Sequence, residues 1–283
     1  MSALQSGRLW AVVLDGADSP FAEHFRTSSS LPRALERARL AFEPRNTIVV
    51  GTRSIGPRLA LETATFPGNV LVSPATRGSA PLLLWPVYWI HRFDPDAVVV
   101  SIPADQSVRE ERLLMDHVAR VASRIPSHPR WIVVIGAPSP DPDSAGEWIV
   151  RAESLDEKTE RVWRVREVTE TAPSGTPAHH GLRSTRVFVG RAEAFIDAAR
   201  ACLPDLHAAF SEASRWAGSW NEAEALERAY EQIAQRGFLA ALQEAGFPRL
   251  AASCLPALDW GNPVSAQRPA ASARSDAGLR DIA

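Results

Sequence analysis

Lysine is almost missing from this chain: its 283 residues contain one, Lys158, so any cation a phosphate site needs has to be an arginine. Cysteine is nearly as scarce. Cys202 and Cys254 stand alone, without metal or redox spacing, and read as reduced thiols of a cytoplasmic protein. No long hydrophobic run occurs. The longest, Leu82 to Ile90, is interrupted by Pro86 and is too short to span a bilayer, and no signal-peptide core opens the chain. These absences exclude a membrane partner. A net charge of -2 leaves no broad basic footprint and excludes a nucleic-acid partner. Gly16 has no G-x-G-x-x-G around it, which excludes a dinucleotide site of the NAD type.

What is present is organised around residues 94–105, Asp-Pro-Asp-Ala-Val-Val-Val-Ser-Ile-Pro-Ala-Asp. The run Ala97 to Ile102 is apolar, β-branched and without alternation, as in a strand buried on both faces of a parallel sheet. Asp105 falls just past its carboxyl end, where open α/β sheets bind ligands; a structural aspartate capping the next helix fits the spacing equally well. Before this strand, Leu9–Leu14, Thr47–Val50 and Asn69–Val72 read as strands. Leu31–Phe42, Pro57–Thr63 and Ala80–Arg92 read as the helices between and after them. After it come a helix over Ser107–Ile125 and a strand over Trp131–Ile135. Strands alternating with helices predict a doubly wound parallel sheet.

The pattern changes after Gly136. Glu147–Ala152, Arg161–Val168 and Arg186–Gly190 read as strands with no room for helices between them, hence antiparallel additions. Arg191–Gln243 is mostly helical, and Leu255–Pro263 is the last recognisable piece. Residues 266–283 are rich in Ala, Ser, Arg and Asp and read as a disordered tail. Several other signals have plain explanations. Asp94-Pro95-Asp96 has the D-x-D form of a metal motif but precedes its strand, which puts it at the wrong end of the sheet. Asp141-Pro142-Asp143 reads as a solvated turn, and His179-His180, without a third ligand, as a loop pair. The nine tryptophans read as core and interface residues.

Several short stretches, in the same order, resemble the bacterial mannose-1-phosphate guanylyltransferase family of sugar-phosphate nucleotidyltransferases. Leu9–Leu14 looks like its first strand, and Ser73–Pro81 is similar to its P-x-x-R-x-(T/S)-A-P segment. Asp94–Asp105 matches its DPDAVVxxxPADH segment. Trp131–Ile149 resembles the strand and sugar loop that follow, Phe188–Ala192 a later strand and helix start, and Asp259–Pro263 its W-S-D-W-G-T-P close. The resemblance covers residues 9 to 265. It implies one nucleotidyltransferase-like domain over 1–265, with a Rossmann-like, doubly wound, mostly parallel α/β sheet, an antiparallel sugar-binding region and C-terminal helices. It also implies a reaction, GTP plus mannose 1-phosphate giving GDP-mannose and pyrophosphate. Mg²⁺ is the implied cofactor, held by Asp105 and Asp259, hard oxygen ligands that suit it. Asp105 and Arg77 are the implied catalytic residues. Asp15, Gly16, Ala17, Asp18, Ser79, Pro81, Gly146, Glu147 and Glu170 occupy the implied substrate-binding positions.

The departures gather where phosphate is held. The family's A-G-G-x-G-T-R-L-x-P loop is here Asp15-Gly16-Ala17-Asp18-Ser19-Pro20-Phe21, with one glycine, no arginine and two added carboxylates. Each change opposes a triphosphate, by blocking backbone approach or by repulsion. The lysines of P-K-Q-F and F-V-E-K-P have no counterpart, Gln106 follows Asp105 in place of histidine, and Leu182–Thr185 lacks the W-N-(S/T) asparagine. Arg26, Arg33 and Arg77 are the arginines that stand near enough in sequence to substitute. The expected function is therefore an impaired nucleotidyltransferase using a nucleoside triphosphate and a sugar 1-phosphate. The rival is a catalytically silent homologue serving as a binding or regulatory subunit, with a second copy or an active paralogue as partner. A nucleotide-sugar glycosyltransferase on a similar sheet is a third reading.

Overall fold

The structure, a computed structural model, describes residues 8–15, 30–64, 66, 68–139, 146–155, 162–173, 181–255 and 260–261. The first half alternates strand and helix as the sequence predicts: β1 (Leu9–Asp15), α1 (Ser30–Ala38), β2 (Thr47–Thr52), α2 (Gly56–Glu62), β3 (Asn69–Ser73), α3 (Ser79–Phe93) and β4 (Val98–Pro103). β5 (Ser107–Val108), α4 (Glu111–Arg124) and β6 (Ile132–Ala137) follow, then β7 (Trp148–Ser154), β8 (Val162–Thr169) and β9 (Gly181–Arg191). Helices α5 (Ala192–Cys202), α6 (Pro204–Ala213), α7 (Glu222–Gln232) and α8 (Phe238–Glu244) lead to β10 (Leu250–Cys254) and β11 (Trp260–Gly261).

Nine strands form one sheet in the order β3-β2-β1-β4-β9-β6-β10-β8-β7. β3, β2, β1 and β4 run parallel, and β4 is buried along its whole length, as its unbroken apolar run requires. Beyond β4 the sheet is mixed: β9 is antiparallel to β4 and β6, as expected, and lies between them, while β10 is parallel to β6. β7 and β8 are antiparallel additions, as expected. The first residues of β9 also pair with β7, so β9, β6, β10, β8 and β7 close into a barrel-like ring.

Alternate residues of the strands feed two cores. Val12, Val99, Val134 and Phe188 face α3 and α5–α8, while Val13, Val100, Val133 and Val189 face α1 and α4. α3 is apolar all round and keeps Pro86 inside it, buried like its neighbours. Trp85, fully buried, meets Phe210 edge-on at 5.7 Å.

Three boundaries differ from the sequence reading. Helix α4 begins at Glu111, not 107, because Ser107 and Val108 are drawn into a two-stranded pairing with β11. Strand β9 starts at Gly181, where polar residues hide it. β10, Leu-Ala-Ala-Ser-Cys, was not anticipated: its small side chains carry little strand propensity and it is held by pairing to β6 and β8. The tail, 266–283, lies outside the described residues, as do Asp141–Asp143 and His179–His180.

Candidate functional site

Main-chain geometry brings the carboxyl ends of β1 and β4 side by side, Leu14 opposite Pro103, with the Ala104 N–H donating to the Leu14 carbonyl at 2.9 Å. Asp105 stands two residues beyond β4, at the sheet edge the sequence predicts. It does not cap a helix: the next one, α4, has Glu110 at its N-cap. Its carboxylate meets Arg186, with Nη2 2.7 Å from Oδ2. The sequence reading had not singled out Arg186. The available signal was a polar Ser184-Thr185-Arg186 step interrupting an otherwise apolar strand.

That step is a bulge. β9 pairs Val187 with Ile135 but Ser184 with Gly136, so Thr185 and Arg186 are extra residues on the strand. Arg186 has φ 55°, the one positive φ among the described non-glycine residues. Its N–H donates to Ser184 Oγ at 3.2 Å, and its carbonyl accepts from Ser101 Oγ at 3.0 Å. Thr185 Oγ1 donates to the Ile135 carbonyl at 2.7 Å, and the Thr185 carbonyl accepts from the side-chain amide of Gln106. The carbonyl of Gln106 in turn accepts from Nη2 of Arg37 at 2.9 Å; Arg37 is only 1% exposed and also faces Glu111. Gln106, standing where the resembling family has histidine, therefore braces the bulge.

A cleft of about 550 Å³, open to solvent, lies over this edge. Asp105, Glu147 and Arg186 supply its charge, and Leu14, Phe188 and Phe238 are among its apolar walls. The backbone carbonyl of Glu147 accepts from the Ser184 N–H at 2.8 Å, which ties the start of β7 to the bulge. Burial pushes the Glu147 carboxyl above its usual range; Arg186 opposes that and Glu170 adds to it. At the end of β1, Asp15 is ion-paired with Arg58 at 2.5 Å. Burial raises the Asp15 pKa, Arg58 lowers it, and the charge of Asp105 raises it again.

The segment 77–81 has another task. Gly78 has φ 89°, and a side chain there would begin 2.2 Å from the Arg236 carbonyl oxygen. Arg236 N–H donates to the Arg77 carbonyl and its own carbonyl accepts from Ala80 N–H, while Phe238 N–H donates to Ser79 Oγ. The segment thus clamps the chain that seats Phe238. Ser79 lines the cleft; Arg77 is exposed and does not, and Pro81 is buried in α3. Gly146 is exposed at φ 136°, and Glu170 is exposed just past β8. Of the three arginines considered as substitutes, Arg33 faces Glu111 at 3.8 Å and Arg26 lies outside the described residues. Gly16, Ala17, Asp18 and Asp259 also lie outside them. Asp94 and Asp96 are structural, accepting from Trp10 Nε1 at 3.1 Å and from Arg8 at 2.6 Å.

The donor set for Mg²⁺ can be judged at Asp105. One of its oxygens already holds a guanidinium, and Asp15 beside it holds another. Among the described residues no three His, Cys, Asp or Glu side chains are gathered, although Mg²⁺ is commonly held by one or two carboxylates together with substrate phosphates. The second implied ligand, Asp259, lies outside the described residues; among the described ones, Asp105 faces a guanidinium in the direction a divalent cation would take.

The fold is nucleotidyltransferase-like, with the cleft at the carboxyl ends of β1 and β4. A mannose-1-phosphate geranyltransferase from Thermus thermophilus superposes with TM-score 0.72 at 17% identity, covering 90% of this chain and 76% of that one. A mannose-6-phosphate isomerase from Helicobacter pylori gives 0.67 at 15% identity over 90% and 99%. A CMP:2-keto-3-deoxy-manno-octonic acid synthetase complexed with CTP gives 0.55 at 13% over 92% and 95%. No family model matches the chain, and no curated protein matches its sequence. Among the described residues, no helix is long and apolar enough to cross a membrane.

Proposed function

We propose that the chain is a nucleotidyltransferase of the mannose-1-phosphate guanylyltransferase type, acting on GTP and mannose 1-phosphate with strongly attenuated turnover. The supporting observation is the Asp105–Arg186 ion pair, which sets a carboxylate and a cation together at the carboxyl end of β4, in the lining of an open cleft. In such a reaction the sugar phosphate oxygen attacks the α-phosphorus of GTP and pyrophosphate leaves. Arg186 faces the anionic oxygens, and the apolar walls exclude water around them. Attenuation follows from charge. A carboxylate about 4 Å from a phosphate oxygen costs on the order of 4 kcal/mol at a surface-like dielectric, and Asp18 brings one to the implied phosphate loop, Asp15 being already paired with Arg58. A penalty of that size lowers a rate by about three orders of magnitude.

A second reading, a silent homologue that binds without turnover, is favoured by the commitment of both Asp105 and Asp15 to arginines. Pyrophosphate release from GTP, mannose 1-phosphate and Mg²⁺ separates the two. Slow release that increases when the loop carries Asp15→Ala, Ala17→Gly and Asp18→Gly supports the enzyme. Ligand binding with no release by either chain supports the silent subunit, and robust release by the unmodified chain overturns attenuation.

A further inference from the structure

We propose that the guanidinium of Arg186 replaces a divalent cation at Asp105, so that the cleft binds a phosphate group without metal. This rests on the reading above that the cleft takes a phosphorylated ligand. Phosphate held among carboxylates needs positive charge between them. Arg186 is the one cationic side chain among the described residues that line the cleft, where Asp105 and Glu147 bring negative charge. It stands 2.7 Å from Asp105, the distance of a charge-assisted hydrogen bond, and its side chain is 39% exposed. One nitrogen of a five-donor fork meets Asp105 in that pair, and the planar fork suits bidentate recognition of phosphate.

The backbone argues that this placement is built. A non-glycine residue at φ 55° is strained and persists only where its surroundings impose it. Here they do: Ser184 and Ser101 hold the amide and carbonyl of Arg186, and Gln106, itself bonded to the buried Arg37, holds the residue before it. An arginine needed only for solvation would require none of these. The geometry delivers a fixed positive charge to the carboxylate at the strand end.

Calorimetry with the full chain tests this, using mannose 1-phosphate alone and GTP alone, each in EDTA and in Mn²⁺, with Mn²⁺ uptake followed by electron paramagnetic resonance. Arg186→Gly removes the guanidinium and relieves the positive φ; Arg186→Asn, which also tolerates that conformation, is the second variant. Melting curves establish that both are folded. The expected result is binding of one ligand in EDTA, weakened at least tenfold in both variants, with Mn²⁺ uptake gained by the variants and lost again on adding Asp105→Asn. The ligand that binds identifies the source of the phosphate. Binding that requires Mn²⁺ in the unmodified chain, or that is indifferent to the loss of Arg186, overturns the replacement and leaves the proposed function standing. Failure of both ligands in both conditions removes the function and the replacement together.

Discussion

Asp15 and Arg58 stand 2.5 Å apart at the end of β1, and the same arginine reaches Glu62 one turn along α2, at 3.5 Å. Where the resembling family presents backbone N–H groups to a nucleotide, this chain has a carboxylate that its own fold neutralises. Arg58→Leu leaves Asp15 half-buried beside Asp105 with its main counter-charge gone. The expected loss is about 1–3 kcal/mol at pH 7, the cost of a partly buried charge left unpaired. The sign with pH is fixed. Burial and Asp105 both raise the Asp15 pKa once Arg58 is removed, so the penalty is present above that raised value and fades as pH falls and the carboxyl protonates. Urea unfolding of both chains at pH 7 and at pH 4 reads the difference.

His117 lies in the core beneath α4, with Nε2 3.0 Å from Ser253 Oγ on β10. Burial lowers its pKa to about 4, and Arg120 adds to the shift. The unfolded chain takes up this proton near pH 6.5 and the folded chain near 4, so stability is lost as pH falls through that window. Between pH 7.5 and 4.5 this one residue removes about 2.5 kcal/mol. His117→Gln keeps a polar partner for Ser253 and does not titrate. Its urea midpoint is expected to fall less over the same interval, and parallel curves for the two chains would place the acid sensitivity elsewhere.

Gly78 is held by space as much as by angle, with Arg236 backbone 2.2 Å from the position of a first side-chain carbon. Gly78→Ala is expected to cost about 3 kcal/mol or more, from a left-handed conformation combined with a backbone clash. Because Arg236 leads to Phe238 in the cleft wall, ligand affinity is expected to fall with stability. Gly56 provides the control: a side chain there meets nothing within 4 Å, so Gly56→Ala is expected to leave the melting temperature nearly unchanged.

Leu9–Leu14 and Ala97–Ile102 announce buried strands through apolar composition, and they pair in register as β1 and β4. Arg77–Pro81 also clamps Arg236 by main-chain bonds, and of its residues only Gly78 is required there by space and backbone angle. The placement of Asp105 at a strand end was readable, since it depends only on strand direction. The partner of Asp105 was not readable, because a bulge in β9 sets the direction of Arg186 and a bulge has no periodicity. β10 is hidden for a different reason: Ala251, Ala252 and Ser253 are buried in a strand held by pairing to β6 and β8, but such small residues carry no strand signal.

The cleft itself is expected to bind phosphate more tightly as pH falls. Glu147 lines it, and burial raises its pKa, with Arg186 pulling the value down and Glu170 pushing it up; Asp105 supplies the other lining carboxylate. When Glu147 is ionised the lining holds two carboxylates against one guanidinium, and an incoming phosphate meets net negative charge. Protonation of Glu147 leaves Asp105 and Arg186 balanced. Removing one charge at close range is worth on the order of 1–2 kcal/mol, or about tenfold in affinity. The phosphate of mannose 1-phosphate titrates as well and moves the curve the other way, so the comparison has to be made between chains at each pH. Glu147→Gln is expected to bind about tenfold more tightly than the unmodified chain at a pH above the raised Glu147 range, where the carboxyl is ionised. The two affinities converge as pH falls through the raised Glu147 range. Equal affinities at every pH would mean that Glu147 does not face the phosphate, and that the charge governing the cleft is set by Asp105 and Arg186 alone.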